Sequence, residues 1–398
     1  MSHTLDDIVS LASELNPNFE LPEHWEQRAA KLSSAESFLR QAQLVIQAEA
    51  DHSYFHTRHF KKTVKQKAGL PYTHCCLLTE LIGNIFPQRI ALANRRGILG
   101  SAQESTIGPA ADTVTRDGIY VLPLALSEGV VEEIRGELNP FEFKNRATKQ
   151  TRTAIAGQSD LEGAWWINDP LDIAKSDVMQ RLAFDPTLLG ITQRVLGATP
   201  IHVQTNAWWT FPTGGAGESA EAIQKRNAQW FHQDMEFINF VKVFVYLSDV
   251  GDSNGPHVYV KGSVNDYEEK LPGIEVSTRV SDADVVHAFG EDRIHSITGQ
   301  AGTVAIVNTR GYHRGAPVVQ GHRLLLQFEY ACSLYFNPVP SFPLGCLSLE
   351  SKDLCQQNPR LFMNYRSNAI QRQSDWRGLV SRVAGAWPRR SHGSKKAA

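Results

Sequence analysis

The strongest constraint on the fold is the succession of short apolar segments that follows residue 200. Five segments rich in β-branched and aromatic residues occur there: IHVQTNAWWTF, FINFVKVFVYLSDV, HVYVKGS, GTVAIVN and HRLLLQFEYA. Turn-forming residues such as DSNGP (252–256) separate them, and few helical patterns intervene. Because short strands joined by turns favour antiparallel pairing, the pattern predicts a barrel or a sandwich and argues against alternating βαβ units.

Helical patterns precede these strands. Thr4 and Asp7 form a capping-box pattern ahead of an amphipathic segment, and the apolar stretch CCLLTELIGNIF ends before Pro87. Residues 95–113 (RRGILGSAQESTIGPAADT) are rich in Gly, Ser and Ala without periodicity, which predicts a linker.

These patterns divide the chain into three predicted regions. Residues 1–112 form a helical region of unknown role, residues 113–340 hold the strands, and residues 341–398 form an extension that packs on the core and ends in a basic tail. Ser127 and Asp185 are expected to cap two helices of the middle region. The expected fold class is α+β with a mainly β core.

The composition is that of an ordinary globular protein. Of 398 residues 42% are hydrophobic, and the formal net charge of -2 gives no reason to expect nucleic acid or an anionic membrane as a partner. No apolar run is long enough to span a bilayer, and the N-terminus lacks a signal-peptide pattern. Five cysteines without a CxxC pair fit a reducing compartment. The expected location is therefore the cytoplasm.

The segment WFHQDMEF (230–237) contains a candidate metal site. In an extended strand His232 and Asp234 point to the same side, so both can reach one ion. An imidazole and a carboxylate suit iron, and a further neutral histidine would complete a facial triad of two histidines and one carboxylate. Taken alone, the pair is as compatible with ordinary polar residues at a strand end.

Two later residues strengthen the metal hypothesis. His313 follows the buried-looking strand GTVAIVN, and Arg323 begins the apolar strand ten residues further on. An arginine that points into a barrel requires an anion, and its planar fork suits a carboxylate. Each residue alone has a structural explanation, as a core histidine or a salt-bridged arginine, but their order along the chain favours an iron site with an anionic cosubstrate.

Residues 115–335 resemble the phytanoyl-CoA dioxygenase family of Fe(II)/2-oxoglutarate oxygenases. The resemblance rests on DGIYVLP at its start, HQD at 232–234, NGPHVYVKGSVND at 254–266, and GTVAIVNTRGYHRGAP with Arg323 near its end. The chain departs from the family where the turn PGSH reads KGSV, and where Gly315 replaces a polar residue two places after the distal histidine.

The resemblance implies a double-stranded β-helix, a jelly-roll or cupin-like barrel with helices packed outside. It implies Fe(II), 2-oxoglutarate and O2 as cofactor and cosubstrates, with chemistry centred on the iron and no separate acid or base. The implied iron ligands are His232, Asp234 and His313. The implied 2-oxoglutarate contacts are Arg323, Gln204, Asn206 and Gln233.

The predicted activity is hydroxylation, or a related oxidation, of an unactivated C–H bond in a small or carrier-linked metabolite. Related halogenases have Gly or Ala at the carboxylate position, so Asp234 favours hydroxylation. Trp208, Trp230 and Phe231 are candidate walls of the substrate pocket, although aromatic residues at strand spacing are often core residues. The alternatives are a non-catalytic or sensor-like binding module and an oxygenase acting on a protein or glycan.

Two further segments have open interpretations. His52, His56 and His59 have helical spacing, but without an acidic residue to complete a zinc motif they favour a solvated basic face. Residues 212–229, which precede the metal motif, are either a lid or a plain surface loop.

Overall fold

The computed structural model describes residues 4–32, 35–50, 71–87, 90–92, 95–123, 126–158, 160–213, 229–272, 274, 278–335, 337 and 341–366. The histidine cluster at 52–59, most of segment 212–229 and the basic C-terminal tail lie outside these residues. Within the described part, no helix is both long and apolar enough to cross a membrane.

The helices lie mainly in the first half of the chain. In chain order they are α1 (Leu5–Leu15), α2 (Trp25–Ala30), α3 (Ala35–Ala50), α4 (Tyr72–Ile85), α5 (Glu104–Asp117), α6 (Glu128–Leu138), α7 (Pro170–Ala174), α8 (Asp177–Ala183), α9 (Pro186–Leu196), α10 (Ser263–Lys270), α11 (Asp282–Phe289) and α12 (Leu349–Gln357). The predicted caps are confirmed, because the side chains of Thr4, Ser127 and Asp185 accept backbone N–H bonds at the starts of α1, α6 and α9.

The strands follow the predicted order. They are β1 (Arg96–Gly97), β2 (Gly100–Ser101), β3 (Ile119–Val121), β4 (Phe143–Asn145), β5 (Thr151–Arg152), β6 (Ala164–Ile167), β7 (Ile201–Thr210), β8 (Phe240–Tyr246), β9 (His257–Val260), β10 (Ile294–Ile297), β11 (Val304–Val307), β12 (His313–Gly315), β13 (Arg323–Ala331), β14 (Phe342–Pro343) and β15 (Tyr365–Arg366). Each of the five segments predicted as strands contains one of these elements.

Two antiparallel sheets form the core architecture. The larger sheet has the order β3-β11-β8-β13-β7-β6-β4-β5, and the smaller has the order β10-β9-β12. Single β-bridges from His232 to His313 and from Phe231 to Val280 widen the smaller sheet. Side chains from both sheets line one cavity, so the sheets face each other as in a jelly roll. The predicted double-stranded β-helix is confirmed.

Strand β8 shows why the larger sheet is buried on both faces. Val241, Val243 and Val245 pack into the main core with the outer helices, and Lys242 and Phe244 point to the cavity between the sheets. This two-residue alternation is the geometry of a strand, and helices on one face with a second sheet on the other keep both sets of side chains from water. The cavity is therefore built on a rigid, central strand.

The linker predicted at 95–113 is wrong over its second half, because residues 104–117 form helix α5. The small residues there permit close helix packing and do not confer flexibility. Ala110 and Ala111 are buried on this helix, and Ile107 lies so close to α9 that a Cβ at Gly190 would come within 2.4 Å of its side chain. Because much of the buried face of this helix consists of Ala and Gly, its sequence shows little of the apolar periodicity from which a helix is predicted.

The segment after β13 packs back onto the sheet. His202 of β7 is buried, with its Nδ1 2.9 Å from the hydroxyl of Tyr365 and its Nε2 3.1 Å from the hydroxyl of Thr205. Arg360 forms an ion pair at 2.8 Å with Glu49 of α3, whose side chain is fully buried. Residues near the C-terminal end of the described chain therefore join the N-terminal helices to the barrel.

The stability of the fold should fall as the pH is lowered below neutrality. Burial lowers the pKa of His202 to about 3, whereas an unfolded histidine titrates near 6.5. The folded state therefore binds fewer protons than the unfolded state. The free energy of unfolding keeps the full contribution of His202 above about pH 6.5, and between pH 6.5 and pH 3 this residue alone lowers it by up to about 1.4 kcal/mol per pH unit. Denaturant titrations at pH 7.5 and 5 should show the loss. His202→Gln should reduce the slope of the free energy of unfolding against pH by the equivalent of about one bound proton. An unchanged slope would contradict the prediction.

Candidate metal centre and cavity

The backbone brings the two predicted histidines together. The N–H of His232 donates to the carbonyl of His313 at 2.9 Å, and the N–H of His313 donates to the carbonyl of His232 at 3.0 Å. The N–H of Asp234 donates to the carbonyl of Thr309 at 2.8 Å, which continues the pairing. Segments that are distant in sequence thus become neighbours at one edge of the smaller sheet.

The side chains of His232, Asp234 and His313 form a compact donor set. One ligand atom from each lies within 4.8 Å of the others. The Nε2 atoms of His232 and His313 are 3.8 Å and 3.4 Å from the carboxylate oxygens of Asp234. The Nδ1 atoms lie 2.9 Å from the carbonyls of Trp230 and Gly311. Because a carbonyl only accepts, each Nδ1 carries a proton, and these two hydrogen bonds direct each Nε2 towards Asp234.

The electrostatics of the donor set depend on Lys242. Burial alone would raise the pKa of Asp234, but the Lys242 ammonium at 2.9 Å and the nearby His313 hold this pKa well below its usual range. Lys242 also lies 2.8 Å from Glu236, and although burial opposes its charge, these two carboxylates raise its pKa well above the usual value. Asp234 is thus an ionised ligand and Lys242 a buried cation.

A second carboxyl group lies behind Lys242. Glu329 of β13 is fully buried, and burial together with the nearby Glu236 raises its pKa well above the usual value. Gln204 donates to one of its oxygens at 2.6 Å. Glu329 is therefore the protonated member of this group, and Lys242 balances the charges of Asp234 and Glu236 only.

Two histidines of the cavity, His232 and His257, are neutral. Burial, with the nearby His313, lowers the pKa of His232 to about 3. Burial also holds the pKa of His257 well below its usual value, and the ring of His257 stacks on that of His313 at 5.3 Å. Neutral imidazole is the form that binds a metal, so His232 requires no deprotonation step near neutral pH.

The donor set opens into a cavity of about 290 Å³ between the two sheets. Arg323 lies on its wall, only 7% exposed, and donates to the carbonyl of Gly255 while its Nε has no hydrogen-bond partner among the described residues. Trp208 also lines the cavity, and its contact with a substrate stays a prediction. The other described residues on the wall are Arg146, Gly163, Ala164, Trp166, Thr210, Thr213, Gln229, Glu236, Lys242, Phe244, His257, Arg279, Gly315, Ala316, Leu325 and Gln327.

Five of the predicted site residues lie away from the described wall of the cavity. Gln233 points away from the ligand face and donates to the carbonyl of Arg310 at 2.8 Å, as strand alternation requires for the residue between two ligands. Gln204 is bound to Glu329, and Asn206 lies opposite Gln327 of β13. Phe231 packs in a separate core cluster outside the smaller sheet. The backbone carbonyl of Trp230 accepts the hydrogen bond from Nδ1 of His232. Contacts of these five with cosubstrate or substrate remain predictions.

Four polar residues of the cavity were missed by the sequence analysis. Lys242 had a signal, since a lysine within FVKVFVY at an inward position needs a buried anion. His257 lies in the segment NGPHVYVKGSVND (254–266), at a position where the family usually has an apolar residue. Arg146 and Arg279 lie in segments without a strand pattern, so only the fold brings them to the cavity.

Several solved structures share a weak similarity with this chain. HygX from Streptomyces hygroscopicus, with nickel and 2-oxoglutarate bound, is 19% identical, with 61% of this chain and 92% of that chain covered and a TM-score of 0.40. EctD from S. alaskensis, in its apoform, is 18% identical, with 62% and 87% covered and a TM-score of 0.41. The carbocyclase SnoK from nogalamycin biosynthesis is 18% identical, with 58% and 87% covered and a TM-score of 0.39. A comparison with curated proteins finds no match.

The family model of phytanoyl-CoA dioxygenase gives the assignment. It matches residues 114–322, which is more than half of the chain. The matched segment contains the donor set His232, Asp234 and His313, and it ends one residue before Arg323. This chain therefore belongs to the phytanoyl-CoA dioxygenase family.

Proposed function

We propose that the protein is an Fe(II)- and 2-oxoglutarate-dependent oxygenase that hydroxylates a small metabolite. The observation that supports this most directly is the convergence of His232, Asp234 and His313 in one cavity with Arg323. Two imidazoles and one carboxylate form the facial set that suits non-heme iron and leaves positions open for other ligands. When bound, iron supplies the activation of O2, with 2-oxoglutarate converted to succinate and CO2.

The protein residues orient the iron ligands and keep them in the required protonation state. The carbonyls of Trp230 and Gly311 fix the ring orientation of the two histidines through their Nδ1 protons. Lys242 holds one oxygen of Asp234 and keeps the carboxylate ionised. The donor set is therefore preorganised before the metal arrives.

Arg323 is the proposed anchor for the distal carboxylate of 2-oxoglutarate. Its guanidinium is buried on the cavity wall. Gly315 lies beside it without a side chain, and a Cβ built there would be 3.7 Å from a terminal nitrogen of Arg323. His257 lines the same cavity with an Nε2 that has no partner in the described structure. We therefore place 2-oxoglutarate beside Arg323 and His257, where its carboxylate meets a buried cation.

The retained carboxylate favours hydroxylation as the reaction. Asp234 occupies one metal position with an ionised oxygen, so a halide would have to compete with a charged ligand that Lys242 already holds in place. The small cavity supports a small-molecule substrate, since its volume of about 290 Å³ lies at the lower end of ligand pockets. The proposal includes a carrier-linked form of that substrate.

Anaerobic addition of Fe(II) and 2-oxoglutarate should produce a metal-to-ligand charge-transfer absorption band. Asp234→Ala should abolish it at Fe(II) concentrations that saturate the wild type, because a metal ligand is lost. Arg323→Gln should weaken 2-oxoglutarate binding by about tenfold or more, since a charge-assisted carboxylate contact is lost.

Two exposed substitutions serve as controls for this experiment. Asp252→Ala changes a carboxylate in a surface turn, and Arg194→Gln changes an arginine paired with Glu104 on the surface. Both should leave the band unchanged. A wild type without the band, or an Asp234→Ala variant that retains it, would refute the proposed function.

Lys242 has a separate, measurable role in the metal-free protein. Lys242→Met should destabilise that protein by up to about 3 kcal/mol, because two partly buried carboxyl groups lose their buried cation. A bound divalent cation would partly replace the missing charge, so metal should stabilise the variant more than the wild type. Denaturant unfolding with chelator and with Zn²⁺ measures both effects. Lys144→Met, on an exposed position of β4, is the control, and equal stabilisation of both variants by metal would contradict the prediction.

A further inference from the structure

A pair of arginines lines the cavity at a place distinct from Arg323. Arg146 follows β4, which is separated from β13 by β6 and β7 in the larger sheet. Arg279 precedes Val280, whose bridge to Phe231 forms the edge of the smaller sheet. At about 4.8 Å per strand, the backbones of Arg146 and Arg323 are separated by about 14 Å. The cavity therefore has two cationic regions on different strands.

The two arginines lie close enough to affect each other and the metal site. Burial lowers the pKa of Arg279, and the Arg146 cation lowers it further while Asp234 opposes the shift. Arg279 also contributes to the lowered pKa of His232. Arg146 and Arg279 line the same cavity as the donor set, where a substrate would have to be held for its C–H bond to be oxidised.

Neither arginine has an anionic partner in the described part of the chain. Both line the cavity, yet no ion pair within the described residues involves Arg146 or Arg279. A terminal nitrogen of Arg279, Nη1, is buried without a hydrogen-bond partner there. Leaving a buried donor of a charged group without a partner is costly, and such groups are concentrated at functional sites. Within the described residues, Arg279 therefore lacks a hydrogen-bonded anion, and the solvent-exposed Arg146 adds a second cation beside it.

An aromatic wall adjoins this pair. The rings of Trp166 and Trp208 stack in parallel, 4.3 Å apart, and both line the cavity. The guanidinium of Arg146 lies over Trp166 at 5.0 Å from the ring centre, and Phe244 meets Trp208 edge-on. This stacking fixes the direction of Arg146 and provides a rigid apolar surface next to its charge.

We propose that Arg146 and Arg279 bind the anionic group of the substrate, a carboxylate or a phosphate, while its apolar body lies against Trp166 and Trp208. This inference rests on the proposed function, because it assigns Arg323 to 2-oxoglutarate and this pair to the substrate. Planar guanidinium groups bind both kinds of anion with paired hydrogen bonds. A neutral substrate would leave both guanidinium groups without an ion-pair partner among the described residues.

The test is a binding titration of the full chain with Fe(II) and saturating 2-oxoglutarate, without oxygen. Three probes share a phenyl ring: 3-phenylpropanoate, phenyl phosphate and the neutral 3-phenylpropanamide. Calorimetry and the shift of the charge-transfer band report binding, and because 2-oxoglutarate fills the Arg323 site, the probes report the second one. At least one anion should bind about tenfold or more tightly than the amide, and the stronger of the two identifies the anionic group.

Variants locate the binding to the arginine pair. Arg146→Gln and Arg279→Gln should each weaken binding of the anion by about tenfold or more and leave the affinity for 2-oxoglutarate unchanged, which also shows that they fold. Arg194→Gln should have no effect. The proposal is overturned if no anion binds, if the amide binds as tightly, or if both variants bind the anion as the wild type does.

The same titration separates this inference from the proposed function. If 2-oxoglutarate gives no charge-transfer band with the wild type, the proposed function fails, while calorimetry with the anions on the metal-free protein still tests the arginine pair. If the band forms and the anions bind no better than the amide, only the inference on the substrate fails.

Discussion

The backbone pairing of His232 with His313 is the constraint on which the site depends. Two reciprocal hydrogen bonds, of 2.9 and 3.0 Å, join segments that are far apart in sequence. They place both imidazoles on the cavity side of the smaller sheet, and the carbonyls of Trp230 and Gly311 then set their orientation. Because the donor set is built on paired backbone, its geometry does not depend on side-chain packing alone, and it is preserved as long as the smaller sheet is paired.

The second constraint is charge. The partly buried carboxyl groups of Asp234 and Glu236 lie in a cavity between two sheets, and Lys242 lies within 2.9 Å of both. Glu329 has no cation of its own and remains protonated, with Gln204 as a donor. Lys242 of β8, Glu329 of β13 and the carboxyl groups of Asp234 and Glu236 thus form one interdependent group. The loss of one partner leaves the others unpaired in a low-dielectric environment.

Much of the fold and the donor set could be predicted from sequence, because both follow from local periodicity. Strand alternation places His232 and Asp234 on one side, and caps such as Asp185 define helices from two or three residues. Helix α5 was missed since three of its five buried residues are Ala or Gly, whose packing is visible only when α9 lies against the helix. Arg146 and Arg279 were missed because their relation to the metal site exists only in three dimensions.

The charge balance of the cavity links the iron site to the class of substrate. The described wall holds four basic and two acidic side chains, namely Arg146, Lys242, Arg279, Arg323, Asp234 and Glu236. Fe(II) and the dianion 2-oxoglutarate together add no net charge, so binding both leaves the same positive excess. Lys242 is already paired with carboxylates, and 2-oxoglutarate meets Arg323. The excess therefore remains at Arg146 and Arg279, beside the place where the substrate must bind. An anionic substrate neutralises it, and a neutral one does not.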